Sequence, residues 1–423
     1  MSPKFAVTLI AFGALAAPHA AAADVVTDWN RTMVDAVLVS QTPPPASTRV
    51  GAIVQASVYD AVNGIARRYT QFHPEVLGTP APRRASAQAA GAGAAYTALV
   101  ALFPALKATF DARLEETLAR LSHDDDDDDD DDGVGRGLAW GRAVAQAILA
   151  WRNTDGFDVV PPPYEVGPLP FWQPTPPAFL LPVARQFATM SPWAMTSPSQ
   201  FLPPPPPAVT SARYAADFNE TKTVGNAATS PPELVETALF WDGQADTAAT
   251  IWNRAAAALA DKNHSTLVGN ARRFALLNVA MADAVIAVWN AKNTYNAWRP
   301  VTAIQHADID GNSATERDPN WTPVLVTPAH QEYPSGHSGV SSAAATQLAA
   351  FFGSHTRFTV TTDAPPSGTA SRTYGSFADA IADVALARIA AGIHFRFSCE
   401  AAVRMGASIA DYARSTQMTR LDE

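Results

Sequence analysis

Residues 267–290 read LVGNARRFALLNVAMADAVIAVWN, the longest stretch of the chain with a helical arrangement of apolar side chains. Its apolar residues recur every three or four positions, which predicts a long helix. The same spacing recurs in Val25 to Leu38, Val50 to Val62, Ala85 to Leu102, Leu106 to Leu121, Leu138 to Trp151, Pro232 to Trp241 and Thr247 to Leu259. No run of alternating Val, Ile and Thr is long enough to build a sheet. The sequence therefore predicts an all-α fold of packed helical bundles.

A proline-rich segment separates the helical patterns. Residues 159–208 contain 16 of the 34 prolines, and proline is incompatible with regular helix. Its aromatic residues favour an ordered crossover packed on the helices over a loose tether. These residues are Phe171, Trp172, Phe179 and Trp193. We divide the chain into an N-terminal helical half, 24–210, and a C-terminal helical half, 211–423, which we do not expect to fold independently.

The first 23 residues have the layout of a secretory signal peptide. Lys4 precedes an apolar stretch from Phe5 to Ala17, and small residues lead to a cleavage site near Asp24. The alternative is a first core helix. We predict an exported protein, periplasmic or secreted. Downstream, the apolar residues 88–106 fit a buried helix better than a membrane span, so no membrane span is expected.

Charge and cysteine content narrow the classes of function. Of the formal net charge of -10, nine charges lie in the unbroken run Asp124 to Asp132, so the rest of the chain is nearly neutral. Nothing in this balance favours a nucleic-acid partner. We interpret the run as a solvated acidic loop between two helices, with cation binding as the alternative. With Cys399 alone, neither an internal disulfide nor a four-cysteine zinc site can form.

Three short segments of the C-terminal half carry candidate chemistry, and the first is Lys292-Asn-Thr-Tyr-Asn-Ala-Trp-Arg299-Pro300. In a continuous helix, seven residues turn through about 700°. Lys292 and Arg299 would then share a face and could converge on one anion. Alone, the pair is more typical of a solvated helix face.

The second segment is Tyr333-Pro-Ser-Gly-His-Ser338, followed by helix-compatible small residues. Ser335 and Gly336 at a helix start would present unpaired amides where the helix dipole is positive, which suits an oxyanion. His337 would lie at the edge of that cradle. The alternative is a helix N-cap with an incidental histidine.

The third segment is Arg388-Ile-Ala-Ala-Gly392-Ile-His394. A continuous helix would place Arg388 and His394 on different faces. Gly392 permits the left-handed conformation that ends a helix, so His394 could turn back toward Arg388. Together, the three segments supply cations, a hydroxyl, an amide and two histidines, which suits a multiply charged tetrahedral oxyanion.

The order and spacing of these motifs resemble the vanadium-dependent haloperoxidases, which share an active-site architecture with type 2 phosphatidic acid phosphatases and bacterial acid phosphatases. The proline-rich crossover and Gly392-Ile-His-Phe-Arg-Phe397 are similar to soluble secreted bacterial haloperoxidases. The resemblance extends over most of residues 24–415. One departure is Ala387, where the family usually has a serine before the third-motif arginine.

The resemblance implies a role for each motif residue. Lys292, Arg299 and Arg388 would neutralise vanadate or phosphate, and Ser335 and the Gly336 amide would bond its oxygens. His394 would be the axial vanadium ligand in a peroxidase, or the nucleophile in a phosphatase. His337 would be the general acid and base, and Lys292 would also polarise bound peroxide.

The resemblance leaves the reaction open. His330 occupies the position, seven before His337, that differs among family members, and it favours bromide or iodide over chloride; a core or capping histidine is the alternative. The leading hypothesis is a haloperoxidase using vanadate, hydrogen peroxide and halide. A secreted acid phosphatase that hydrolyses phosphomonoesters through a phosphohistidine is the alternative, followed by a non-catalytic exported protein that binds anions or cations. The oligomeric state is not predicted.

Overall fold

The computed structural model describes residues 24–73, 80–124, 132–243, 246–263, 265–363 and 369–421. The predicted signal peptide therefore lies outside the described residues, as does the middle of the acidic run. The α-helices within the described ranges are α1 (Val25–Val39), α2 (Pro44–Ala66), α3 (Ala87–Leu102), α4 (Lys107–Asp124), α5 (Gly133–Arg152), α6 (Ala212–Val224), α7 (Pro232–Asp242), α8 (Ala248–Asn263), α9 (Leu267–Tyr295), α10 (Pro300–Gln305), α11 (Gly336–Phe352), α12 (Phe377–Ala390) and α13 (Arg396–Thr416).

The all-α prediction is confirmed, with one small exception. Strands β1 (Phe358–Thr362) and β2 (Ala370–Tyr374) form an antiparallel hairpin in which Phe358 pairs with Tyr374. β1 alternates between buried and more exposed side chains, with Phe358 and Val360 facing the core. Five residues of alternation were too short to predict a sheet, although they suffice once Phe358 stacks on Phe377.

Helix α9 forms the centre of the fold. Thr266 caps its N-terminus by accepting a hydrogen bond from the amide of Gly269, and Asn296, at a φ of 48°, ends it in the left-handed region. It packs against α2, α11 and α13. Among the described helices, α9 alone is long and apolar enough to cross a membrane, yet 94% of its most apolar window is buried inside the protein. This burial is typical of a core helix.

One hydrophobic core joins the two predicted halves. It contains Val54 of α2 and Ile148 of α5 together with Val288 of α9 and Ile409 of α13. Helices α11 and α13 approach closely because Gly406 faces the backbone of α11, where a Cβ atom would collide with the carbonyl oxygen of Gly339. This close packing fixes the start of α11, and with it the Pro-Ser-Gly-His segment.

The proline-rich crossover is ordered and packs on the helices at selected positions. Trp172 and Trp193 are buried, whereas Phe171 and Phe179 are 45% and 61% exposed. The amide of Trp193 donates to the buried carboxylate of Asp283 in α9 (2.7 Å). Further along, Tyr333 donates its hydroxyl to the carbonyl of Pro204 (2.7 Å), which joins the crossover to the second motif.

Helix α4 ends at Asp124 and α5 begins at Gly133, so the acidic run lies between two helices in sequence. The predicted solvated loop, residues 125–131, lies outside the described residues. Asp132 is the N-cap of α5, and its carboxylate accepts a hydrogen bond from the amide of Gly135 (2.8 Å). The last residue of the run therefore has a structural function of its own.

Candidate active site

The first motif adopts a different local structure from the one predicted. Lys292 and Arg299 do not share one continuous helix, because α9 ends at Tyr295 and Arg299 is the N-cap of α10. Pro300 begins α10, as proline commonly does at a first helical position. Both cations are nonetheless fully buried. The left-handed residue Asn296 separates the two helices, and the charge of Arg299 still acts on Lys292, so their proximity does not depend on helical periodicity.

The second motif begins α11. Ser335 is the N-cap and accepts a hydrogen bond from the amide of Ser338 (3.4 Å), so the capping alternative is correct for its hydroxyl. Gly336 is the first helical residue, where amides lack intrahelical partners. A Cβ atom at Gly336 would meet nothing closer than the Trp289 ring, at 3.7 Å. Internal packing therefore leaves room for a ligand to approach this amide.

The third motif ends α12 as predicted. Arg388 lies in the last turn, and Gly392, at a φ of 74°, provides the left-handed stop. A side chain at Gly392 would be strained and would collide with the carbonyl of Gly225. His394 follows in the connection to α13 and is 2% exposed. The turn thus directs the chain back so that His394 and Arg388 line the same pocket.

Residues of the second and third motifs line a pocket with a volume of about 580 Å³. Its lining includes Gly336, His337, Arg388, His394 and the halide-pocket candidate His330. Behind this lining, the ammonium group of Lys292 donates to the carbonyl oxygens of Gln331 (2.5 Å) and Glu332 (3.0 Å). The guanidinium group of Arg299 is closer to the pocket and contacts His394 itself.

Hydrogen bonds determine the tautomer of His394. Arg299 Nη1 lies 3.2 Å from His394 Nε2, and a guanidinium group can only donate. Nε2 is therefore an unprotonated acceptor, and Nδ1 carries the proton. Nδ1 lies 2.9 Å from a carboxylate oxygen of Glu332 and donates to it. This tautomer leaves Nε2 unprotonated, as required of a metal ligand or a nucleophile, and a ligand at Nε2 would replace the hydrogen bond from Arg299.

Glu332 is the site residue that the sequence analysis missed. It is fully buried, and the same oxygen that accepts from His394 also accepts from the amide of Phe395 (3.1 Å). Burial raises the pKa of Glu332 to about 7, against the opposing effect of Lys292 and Arg299. The available signal was the position of Glu332, three residues before Ser335. A carboxylate buried beside cationic groups needs a hydrogen-bonding or ionic partner, so Glu332 could have been included among the site residues.

Asp242 was also missed. This last residue of α7 accepts from both terminal nitrogens of Arg388, at 3.3 Å each, and its side chain is 41% exposed. The ion pair joins α7 to the third motif. Solvent screening keeps it weaker than a buried pair.

The electrostatics of the site favour anions. Burial and the positive charges of Arg388, Arg299 and Lys292 hold the pKa of His337 well below its usual value, so its ring is neutral at pH 7. Burial and Arg299 likewise lower the pKa of Lys292, and burial lowers that of Arg299 to about 9. A bound multivalent anion would relieve this repulsion.

His330 bonds to the cationic cluster and also faces the pocket. Its Nδ1 accepts from Arg299 Nη2 (2.9 Å), and its ring lies 5.2 Å from that of Trp289. Burial, followed by Lys292 and Arg299, lowers its pKa well below the usual value. The ring is therefore an uncharged part of the lining.

Comparisons with known proteins bear on the family and the fold of the chain. Residues 272–423, which include all three motifs, match the family model of the VCPO second helical-bundle domain. A bacterial vanadium-dependent iodoperoxidase superposes with a TM-score of 0.78 at 26% identity, covering 94% of this chain and 98% of that one. No curated protein shows significant similarity to the chain.

Two structures of bacterial vanadium-dependent chloroperoxidase share the fold. The holo form has a TM-score of 0.68 at 18% identity and covers 89% of this chain and 92% of that one. The apo form has a TM-score of 0.67 at 18% identity, covering 88% and 93%. At 18% identity these two structures bear on the fold alone. The family model and the iodoperoxidase support the resemblance to vanadium-dependent haloperoxidases and the prediction of an enzyme of this class.

Proposed function

We propose that the protein is a vanadate-dependent haloperoxidase that oxidises bromide or iodide with hydrogen peroxide. The observation that carries this proposal is the state of His394. Its Nε2 is unprotonated, its Nδ1 is bonded to Glu332, and it lies at a pocket flanked by the buried cations Lys292, Arg299 and Arg388. The 26% identical iodoperoxidase of nearly the same length supports this assignment over other reactions of the fold.

The residues present fit vanadate. Arg388 Nε is buried and has no hydrogen-bond partner among the described residues, which leaves a donor for an oxyanion. Arg388, Arg299 and Lys292 would neutralise the anion, and Ser335 and the Gly336 amide would bond its oxygens. His394 Nε2 would be the ligand to the metal. When bound, vanadate supplies activation of hydrogen peroxide for two-electron oxidation of a halide.

His337 would act as general acid and base. Because the pKa of His337 is lowered, its ring is neutral at pH 7 and can accept a proton from peroxide. The imidazolium group so formed can return that proton to a leaving oxygen. The surrounding cations repel the positive charge of the imidazolium group and therefore favour transfer of its proton to the leaving oxygen.

His330 supports the preference for bromide or iodide over chloride. Its neutral ring, bonded to Arg299 and adjacent to Trp289, provides a more polarisable lining than an aliphatic side chain. Larger and more polarisable halides are also the more easily oxidised. We further propose that the protein is exported, on the basis of the signal-like residues 1–23.

Two parallel assays test the proposed function. We expect protein loaded with orthovanadate to brominate a dimedone-type acceptor when peroxide and bromide are supplied. The second assay measures phosphate release from p-nitrophenyl phosphate by protein without vanadate. Phosphate release without any halogenation would instead identify an acid phosphatase acting through His394. Absence of both activities would indicate a non-catalytic ion-binding protein.

A further inference from the structure

The pocket is much larger than the proposed inorganic reactants require. Its volume of about 580 Å³ is in the range of pockets that hold organic molecules, roughly 300–1,000 Å³. A halide ion and a peroxide molecule together fill only a small part of such a space. The remaining volume is continuous with the lining formed by His337, Arg388 and His394.

Apart from His337, Arg388 and His394, the walls of the pocket are mainly apolar. Phe157 and Phe187 come from the N-terminal half, and Val285, Trp289 and Val340 come from the C-terminal half. The ring of Phe187 forms a T-shaped contact with Phe157, with centroids 5.9 Å apart, and lies tilted against Trp289 at 6.3 Å. Aromatic and branched walls bind apolar rings by removing their surface from water.

The proline-rich crossover contributes exposed apolar surface to the pocket. Val183 lines it and is 51% exposed, and its amide donates to the carbonyl of Ala329, a neighbouring lining residue (2.9 Å). The preceding residues, Phe179, Leu180 and Leu181, are each more than half exposed. Exposed apolar side chains this close in sequence to a lining residue are consistent with binding of an apolar molecule.

We propose that this pocket binds an electron-rich arene, such as a phenol, and that the arene is halogenated there rather than by oxidant released into solution. The proposal rests on the proposed haloperoxidase function. In the net reaction, the arene, one halide ion, one hydrogen peroxide and one proton give the haloarene and two waters. One C–H bond breaks and one carbon–halogen bond forms, while the halide loses two electrons and the O–O bond of peroxide accepts them. The proton lost from the ring returns to water.

The carboxylates in the lining are paired within the protein, so the apolar wall remains available to the aromatic ring of the arene. The carboxylate of Asp246 is bonded to Thr250 (2.8 Å) and paired with Arg254, and Asp242 is paired with Arg388. Gln186 of the crossover contributes an amide to the lining. Such a group suits a phenolic hydroxyl, which donates and accepts hydrogen bonds.

Filling the pocket tests the proposal without changing the oxyanion site. Ala46 lines the pocket from the first turn of α2 and is half-buried. We expect Ala46→Phe to raise the KM for a phenol at least tenfold, while iodide oxidation measured as triiodide, with no organic acceptor, stays within twofold. Ala46→Ser is the matched control and should resemble the wild type. Ala248→Phe fills the pocket from α8 and serves if the first variant does not fold.

Product ratios and direct binding separate this proposal from the function on which it rests. We expect the ortho-to-para ratio of brominated phenol to differ from that produced by free hypobromous acid, and Ala46→Phe to shift it toward the free-reagent value. Equal ratios in the wild type would overturn the proposal even with halide oxidation intact. If no halide is oxidised, calorimetric titration with phenol still tests whether the pocket binds an arene. Binding to the wild type that Ala46→Phe abolishes would support the proposal. Absence of binding to the wild type would reject it.

Discussion

The carboxylate of Glu332 accepts a hydrogen bond from Nδ1 of His394 across 2.9 Å, in a part of the protein with almost no solvent exposure. The two residues are 62 positions apart in sequence. Their bond keeps the proton on Nδ1, so Nε2 stays unprotonated and accepts from Arg299. The pair thus connects the segment before α11 to the connection between α12 and α13.

Glu332→Ala should weaken vanadate binding by roughly 10- to 100-fold, the usual cost of removing a partner of a metal-ligating histidine. Without the carboxylate, the Nδ1 proton loses its acceptor and His394 can adopt the other tautomer. Vanadium NMR titration measures the affinity, and the nitrogen NMR shifts of the ring report the tautomer.

Glu332→Gln is the matched control for this substitution. Its amide oxygen can still accept from the amide of Phe395 and from His394, so the tautomer should persist and the loss of affinity should be smaller. An alanine variant with wild-type vanadate affinity and an unchanged ring spectrum would exclude the positioning role.

His394→Ala and His337→Ala should have different effects. The first removes the predicted metal ligand and should abolish vanadate binding. The second should retain binding but lower turnover by about 10²- to 10⁴-fold, the usual contribution of a general acid–base group. Equilibrium dialysis with vanadate and steady-state kinetics separate the two effects. Equal loss of binding in both variants would contradict the assigned roles.

His330→Phe should reduce the preference for bromide and iodide over chloride. The substitution removes the acceptor of the Arg299 hydrogen bond and replaces a polar ring beside Trp289 with an apolar one. The measurement is the ratio of kcat/KM values for the three halides. His330→Gln, which retains an acceptor for Arg299, is the control. If the ratios stay the same, His330 has no part in halide selection.

The free energy of unfolding without vanadate should decrease as the pH falls below about 6.5, the usual pKa of histidine. The folded protein holds the pKa values of His330, His337 and His394 well below that value, so the unfolded chain binds more protons in this range. Between about pH 4.5 and 7, the raised pKa of Glu332 has the opposite effect on the free energy of unfolding. Glu332 is a single group, whereas three histidines lower the stability as the pH falls.

His337→Gln should reduce this pH dependence by up to about 1.4 kcal/mol per pH unit, the contribution of one proton. Urea unfolding between pH 5 and 6.5 measures it. His355→Gln, at an exposed ring, is the control. A slope unchanged by His337→Gln would mean that this histidine titrates alike in the folded and unfolded chains.

The periodic segments predicted most of the helices because amphipathic spacing is a local property of the chain. Helix α13 has apolar residues at the same spacing and could have been predicted, whereas the largely polar α6 offered little signal. The assumption of a continuous helix from Lys292 to Arg299 was wrong. The Arg299-Pro300 pair was the available signal, since a residue before proline disfavours helical geometry.

The sequence by itself determined the helical class and the set of candidate anion-binding and proton-transferring groups, because residue chemistry and short spacings are local properties of the chain. The tertiary structure alone decided that Glu332 fixes the tautomer of His394, that Asp242 pairs with Arg388, and that aromatic residues from both halves enclose one pocket. Each of these depends on contacts between residues far apart in the chain, and the packing of α9 and α11 in a shared core creates them.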